Sequence, residues 1–222
     1  MICKGDCEML MLGALLAAVL ISFSFKIVQW ITGLFDKRFM RYTIYYWGIL
    51  LIGASLFIKD NYVFHLPRNF LTVLPLCLLF QVISPFSARR SGYSPVGLFN
   101  RINFVITYPV LEEIAFRGLA LPILVRHQSL GEPFELELGY GIIPQLSLAV
   151  IITAVLFAVS HLQYYKLNAE SIRFMAFALI GGLFFGVIAQ ATESIILTIL
   201  LHIAFNGSAA LYAYSAAKRQ RT

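Results

Sequence analysis

Three strongly apolar segments of the sequence each carry a pair of residues, four positions apart, that suits chemistry inside a membrane. The pairs are Glu113 with Arg117, Phe157 with His161, and His202 with Asn206. Residues four apart lie on one face of an α-helix, so the members of each pair can point into a common interior. Glu112 precedes the first pair and lies about 100° away around the helix. Together these side chains predict one polar cavity between three helices.

The side chains that reach this cavity favour the activation of water. A neighbouring carboxylate and a surrounding of low dielectric constant make Glu112 more basic, while Arg117 keeps Glu113 ionised. We therefore expect Glu112 to take a proton from water and Glu113 to be structural. The imidazole of His161 is expected to share or relay that proton.

The third pair is placed for a different task. His202 and Asn206, one helical turn apart, are expected to donate hydrogen bonds to an oxyanion forming on a peptide carbonyl. Phe157 is expected to pack against the other helices or to wall the cavity rather than to react. No serine or cysteine has an obvious base partner, so a covalent nucleophile is disfavoured.

Each of these residues also has a structural interpretation. Glu113 with Arg117 can be a buried ion pair that fixes helix packing, and the two histidines can form hydrogen bonds between helices. Three charges near the centre of a membrane helix cost roughly 8–10 kcal/mol before pairing, however. That cost, together with the concentration of polar side chains in three helices, favours a functional role.

Composition indicates a membrane protein. The 222 residues are 59% hydrophobic and 13% charged, whereas soluble domains contain about 25% charged residues. The net charge of +6 comes from short clusters between apolar runs, which suit lipid head groups better than nucleic acid. Three cysteines exclude a disulfide framework and a four-ligand zinc site made of cysteine alone.

The apolar runs predict an all-α polytopic membrane protein with about seven transmembrane helices. The predicted spans are roughly 9–29, 42–58, 70–86, 102–125, 142–165, 174–191 and 194–216. The predicted cavity lies between the fourth, fifth and seventh of them. Pro109 should kink or loosen the fourth helix, and the short stretch ATES should join the last two as a tight hairpin. We expect one integral-membrane domain over 1–222, with variable N-terminal helices in 1–101 and a catalytic core in 102–216.

The distribution of basic residues predicts the orientation of the chain. Twelve lysines and arginines fall on one side of the predicted spans and four on the other, with Arg117 inside the membrane. The positive-inside rule then places the N-terminus outside and the C-terminus in the cytoplasm. A prokaryotic plasma membrane is the expected location.

Three motifs in separate predicted helices resemble those of a known family. EEIAFRG, FAVSH and HIAFN occur in this order and fit the patterns EExxxR, FxxxH and HxxxN or HxxxD. These patterns are typical of the CPBP intramembrane proteases, the CaaX-protease and bacteriocin-processing (Abi) group that includes the Rce1-like prenyl proteases. The resemblance covers residues 109 to about 208, and the first three helices match only as generic membrane spans.

The resemblance implies a glutamic intramembrane protease that acts on a membrane-associated or lipidated peptide or protein. By position it implies catalytic roles for Glu112 and His161 on water, oxyanion stabilisation by His202 and Asn206, and supporting roles for Glu113, Arg117 and Phe157. It implies no cofactor and no metal. One departure concerns Thr192, Glu193 and Ser194, where the family often has a Thr-Gly-Ser-like turn; it bears on the local turn and on substrate access.

Other functions fit parts of the same pattern. A zinc-dependent membrane peptidase could use His161, His202 and a glutamate as ligands, although the HExxH helix is absent and Asn206 and Arg117 are then unexplained. A non-catalytic scaffold or immunity protein of the same family needs no reaction at all. A proton-coupled transporter would also use intramembrane Glu and His, but no internal repeat supports one. The sequence does not identify the substrate or the oligomeric state.

Overall fold

The structure is a computed structural model that describes residues 4–90, 95–134 and 146–219. Helices make up most of these residues. The main helices are α1 (Lys4–Phe35), α2 (Thr43–Phe57), α3 (Phe70–Ala88), α4 (98–125), α5 (Leu148–Ser160), α6 (Ala169–Thr192) and α7 (Ile196–Arg219). In the described residues the only β-pairing is an isolated bridge between Pro133 and Ser147. This all-helical architecture was predicted, because a helix satisfies its backbone polar groups within one segment.

Within the described parts of the chain, four helices are long and apolar enough to cross a membrane. These stretches are Glu8–Phe35, Phe70–Ala88, Ala169–Thr192 and Ile196–Arg219. Of the other predicted spans, α2 has 15 residues and α5 has 13, while α4 is divided into shorter segments. The first residues of the predicted span 142–165 lie outside the described residues. Seven membrane spans, and the orientation of the termini, therefore stay predictions.

Helix α4 alternates between α and π geometry. Its α segments are Leu98–Ile102, Tyr108–Glu113 and Leu121–Val125, and its π segments are Asn103–Thr107 and Ile114–Ala120. In a π turn each N–H bonds five residues back, as from Tyr108 to Asn103. The helix thus continues through Pro109, which stands in the α segment directly after the first π segment.

Glycines let α5 and α6 approach closely. A Cβ atom at Gly182 would lie 3.1 Å from the Cα of Ala154, and one at Gly186 would lie 2.7 Å from Val150 Cγ1. Small residues at helix contacts allow this packing in membranes, where no hydrophobic force drives helices together. The close approach matters for the site, because α5 carries Phe157 and ends next to His161.

We expect Gly182→Ala to destabilise the protein by about 1–3 kcal/mol, because the new methyl group meets the backbone of α5. It would also lie 3.3 Å from Nη2 of the buried Arg117. The matched control is Gly53→Ala, because a Cβ atom at Gly53 meets nothing within 4 Å. This substitution changes only the conformational entropy that a helical glycine loses on folding. Thermal unfolding in detergent measures both variants, and equal loss of stability in the two would contradict the packing argument.

The short turn between α6 and α7 contains Glu193, at a position where the family pattern often has glycine. Its φ of 48° is in the left-handed region, where glycine is the usual residue. The turn is held from outside: Arg68 Nη1 donates to Glu193 Oε2 at 2.6 Å, and Arg68 N–H donates to the Thr192 carbonyl at 2.9 Å. Ser194 Oγ also donates to the His65 carbonyl at 2.6 Å. The predicted hairpin therefore forms with glutamate in the position that glycine would favour.

Candidate active site

A cavity of about 530 Å³ lies between several helices, and side chains that could take part in chemistry line it. Five of the residues singled out in the sequence line it: Glu112, Phe157, His161, His202 and Asn206. The remaining two, Glu113 and Arg117, are fully buried behind it. Besides α4, α5 and α7, the helices α3 and α6 contribute to the lining, mainly through phenylalanines.

The carboxylate of Glu113 joins two cationic or potentially cationic partners. Its Oε1 accepts a hydrogen bond from Arg117 Nη1 at 3.1 Å and another from His202 Nδ1 at 2.9 Å. The side chains of Glu113 and Arg117 have no accessible surface. The ion pair is the contact that the spacing of Glu113 and Arg117 predicted, and the hydrogen bond from His202 links α4 directly to α7.

Aromatic rings surround the guanidinium of Arg117. Its Cζ lies 4.4 Å from the ring centroid of Phe157, 5.6 Å from that of Phe185 and 5.9 Å from that of Phe116. Nη2 also donates to the Gly182 carbonyl at 3.4 Å. The negative faces of the rings attract the cation, so the contact with Phe157 stabilises Arg117.

Glu112 differs from Glu113 in its surroundings. Its Oε2 lies 3.8 Å from His202 Nε2, which is too long for a direct hydrogen bond. Its side chain keeps 12% of its accessible surface, against 0% for Glu113. One carboxylate is therefore locked into the ion pair, and the other faces the cavity, where it can meet a ligand or water.

The geometry of His161 defines which ring nitrogen can accept a proton. Helix α5 ends at Ser160, and His161 starts a 3₁₀ turn that extends to Gln163. Nδ1 of His161 donates to the Phe157 carbonyl at 2.9 Å, since a carbonyl oxygen can only accept. In the neutral imidazole Nε2 then carries the lone pair, so this nitrogen can act as a base.

Asn206 is oriented by a backbone carbonyl of α4. Its Nδ2 donates to the carbonyl oxygen of Phe104 at 2.8 Å. In the π register the N–H of residue 109 would point to this carbonyl, but Pro109 has no N–H. An amide nitrogen carries two hydrogens, so a second N–H of Asn206 can serve a ligand in the cavity.

With Asn206 in the oxyanion role that the sequence predicts, Pro109→Ala should lower kcat roughly tenfold while thermal stability is kept or raised. Alanine supplies an N–H that competes with Asn206 for the Phe104 carbonyl, and it favours the helix more than proline does. Peptide cleavage and thermal unfolding of the same preparation measure the two effects.

Pro122→Ala is the matched control for this change. Pro122 is buried in the same helix but stands at the start of its last α segment and does not line the cavity. Wild-type kcat is therefore expected for it. A Pro109→Ala variant with wild-type kcat would show that the proline does not orient Asn206.

Three tyrosines, Tyr108, Tyr164 and Tyr165, line the cavity beside the predicted residues. Tyr108 stands one helical turn before Glu112, so the spacing that joined the other pairs also indicated this residue. Tyr164 follows His161 by three positions, and its ring meets that of Tyr108 edge-on at a centroid distance of 5.9 Å. Nothing in the sequence pattern marks Tyr164, because it lies in a turn.

Among residues 8–90, 95–134 and 146–219, no three His, Cys, Asp or Glu side chains converge closely enough to hold a metal ion. The described site instead combines one locked and one accessible carboxylate with two imidazoles and an amide. Such a set can move protons and donate hydrogen bonds to a developing negative charge.

Comparison with known proteins places the chain in a family. A family model described as type II CAAX prenyl endopeptidase Rce1-like matches residues 93–208, just over half of the chain. No curated protein and no solved structure matches the chain. The matched segment contains all seven residues that the motifs singled out. The chain therefore belongs to the Rce1-like family of proteases, and it is an integral membrane protein with the apolar helices that this family requires.

Proposed function

We propose that the protein is a glutamic intramembrane endopeptidase. It hydrolyses a peptide bond near the terminus of a membrane-associated or lipidated protein or peptide. The observation that carries this proposal is that Glu112, His161, His202 and Asn206, from three parts of the sequence, line one cavity. Membership of a protease family supports the reaction type.

The residues divide the hydrolysis of a peptide bond between them. Glu112 takes a proton from water, with the Nε2 lone pair of His161 sharing it, while the water oxygen bonds to the peptide carbonyl carbon. Nδ2–H of Asn206 and Nε2–H of His202 donate to the resulting oxyanion. The carbon–nitrogen bond then breaks, and the proton held by Glu112 passes to the leaving amine.

Glu113 has a defined part in this mechanism. Its carboxylate accepts the Nδ1–H of His202 at 2.9 Å and is held in place by Arg117. In the imidazolium form of His202 both ring nitrogens are donors, so Nδ1–H bonds Glu113 while Nε2–H serves the oxyanion. The locked carboxylate thus orients the group that stabilises the oxyanion.

The cavity supports an apolar, membrane-delivered substrate. Phenylalanines of α3 and α6 form much of its lining, and Ile83 and Ile180 both line it and are exposed on the outer surface. Gly181 also lines it, and a Cβ there would meet nothing within 4 Å. An isoprenoid on the substrate could bury its surface among these side chains at about 25 cal/mol per Å².

The proposal is tested with the purified protein in liposomes and an internally quenched peptide ending in a farnesylated CaaX sequence. We expect cleavage of the prenylated peptide, with mass spectrometry identifying one bond near the C-terminus, and slower cleavage of the unprenylated peptide. Dialysis against a chelator should leave the rate unchanged. Chelator-sensitive cleavage restored by zinc would support a metallopeptidase, and no cleavage of any membrane-anchored peptide would favour a scaffold.

A further inference from the structure

The side chain of Gln163 forms a bridge to the backbone of α1. Its Nε2 donates to the carbonyl of Ser22 at 3.0 Å, and its Oε1 accepts from the N–H of Lys26 at 3.0 Å. Residues 22 and 26 are four apart, so these are the two groups that an α-helix pairs with each other. The side-chain amide of Gln163 therefore bonds to both the acceptor and the donor of one i to i−4 pair of helix α1.

The bridge starts from the turn that carries His161. Gln163 is the last residue of the 3₁₀ turn His161–Gln163, so the bridge is two residues from the imidazole. The next residue, Tyr164, lines the cavity and packs against Phe25 of α1 at a ring-centroid distance of 4.9 Å. Helix α1 thus holds this turn by hydrogen bonds and by an aromatic contact.

The same part of α1 is itself firmly held. Phe25 is buried and meets the ring of Trp47 edge-on at a centroid distance of 5.6 Å. Trp47 Nε1 also donates to Ser24 Oγ at 2.7 Å. Since α2 fixes α1 at these residues, the bridge connects the His161 turn to a rigid support.

His161 needs such a support because it lies beyond the end of α5. Its own hydrogen bond to the Phe157 carbonyl sets the ring tautomer, but the turn after Ser160 is no longer held by the α-helical ladder. A shift of about 1 Å at a catalytic group can cost roughly 100-fold in rate. The amide of Gln163 fixes the turn against α1 in two directions at once.

We propose that Gln163 is a positioning residue for the reaction, acting through His161. By this bridge α1, which lies outside the matched residues 93–208, completes the active site. The expected effect on kcat rests on the proposed function. The expected effect on the structure, a loosening of the turn 161–163 and of α1, does not.

The kinetic test compares Gln163→Met and Gln163→Glu with Gln29→Met in liposomes, using the farnesylated CaaX peptide. Methionine keeps the length of glutamine without its hydrogen bonds, and glutamate keeps an acceptor for Lys26 but cannot donate to Ser22 as a carboxylate. We expect kcat to fall about tenfold or more in both variants, with KM within twofold. The control Gln29 lies on α1, where its Oε1 accepts from Lys26 Nζ, and its variant should keep wild-type kcat.

A second measurement separates failure of this inference from failure of the proposed function. Hydrogen–deuterium exchange of the intact protein should accelerate around Lys26 and in residues 161–165 for Gln163→Met, but not for Gln29→Met. Unchanged exchange overturns the bridge whether or not the peptide is cleaved. Faster exchange with an unchanged kcat overturns the positioning role. A wild-type protein that fails to cleave the peptide, while exchange responds as expected, counts against the proposed function alone.

Discussion

Replacement of Glu112 by glutamine is expected to lower kcat for the prenylated peptide by about 10²- to 10⁴-fold. Glutamine keeps the shape of the side chain but cannot take the proton of the attacking water. Because Glu112 approaches His202 only to 3.8 Å and makes none of the short bonds of the ion pair, folding should be nearly unaffected. Steady-state kinetics and thermal unfolding of the same preparation test both statements.

The control for Glu112→Gln is Glu132→Gln. Glu132 is exposed and accepts a hydrogen bond from Gln128. It lies outside the motifs and does not line the cavity, so its variant should cleave at the wild-type rate. Substantial cleavage by Glu112→Gln would remove this carboxylate from the mechanism. Protein termini can also be compared between native cells that express the wild type and cells that express Glu112→Gln at the same level. Termini that are missing in the variant would identify the natural substrates.

The second large effect is on stability, and it concerns Arg117. Arg117→Met should reduce the free energy of unfolding by about 3–5 kcal/mol, because it leaves the carboxylate of Glu113 buried without its cation. Neither side chain has accessible surface, so water cannot compensate. Denaturation in detergent micelles, followed by the fluorescence of Trp30 and Trp47, measures the loss.

Two further variants show whether the charge causes this loss. Combining Arg117→Met with Glu113→Gln removes both charges and should recover part of the stability, although activity should stay low because His202 loses its anion. Arg68→Met breaks an exposed ion pair with Glu193 and should cost at most about 1 kcal/mol. A double variant as unstable as Arg117→Met alone would show that packing among the phenylalanine rings, rather than the charge, dominates.

Spacing alone predicted much of the site. Residues four apart on apolar helices share a face, and the cost of burying Glu112, Glu113 and Arg117 indicated that these faces point inward. The pairing of Glu113 with Arg117 followed from the same rule and is present at 3.1 Å. The short turn before α7 was equally visible, because few residues separate two long apolar runs.

Contacts between residues distant in sequence could not be predicted in this way. The second partner of Glu113 is Nδ1 of His202, 89 positions later, and periodicity says nothing about which helices become neighbours. The π geometry of α4 also has no clear sequence pattern, so the link from Pro109 through the Phe104 carbonyl to Asn206 was hidden. The seven predicted spans depend on length alone, and α2 and α5 are shorter than a span normally requires.

The bridge from Gln163 has a consequence for how such proteins diverge. It contacts only the backbone of α1, at the carbonyl of Ser22 and the N–H of Lys26, and any residue except proline offers the same two groups. Substitutions in α1 can therefore accumulate while the contact persists, provided that the helix keeps its place. An N-terminal helix can thus support the active site without any conserved side chain at the contact. Grafting residues 93–208 onto unrelated helices would accordingly transfer the motifs but not this support.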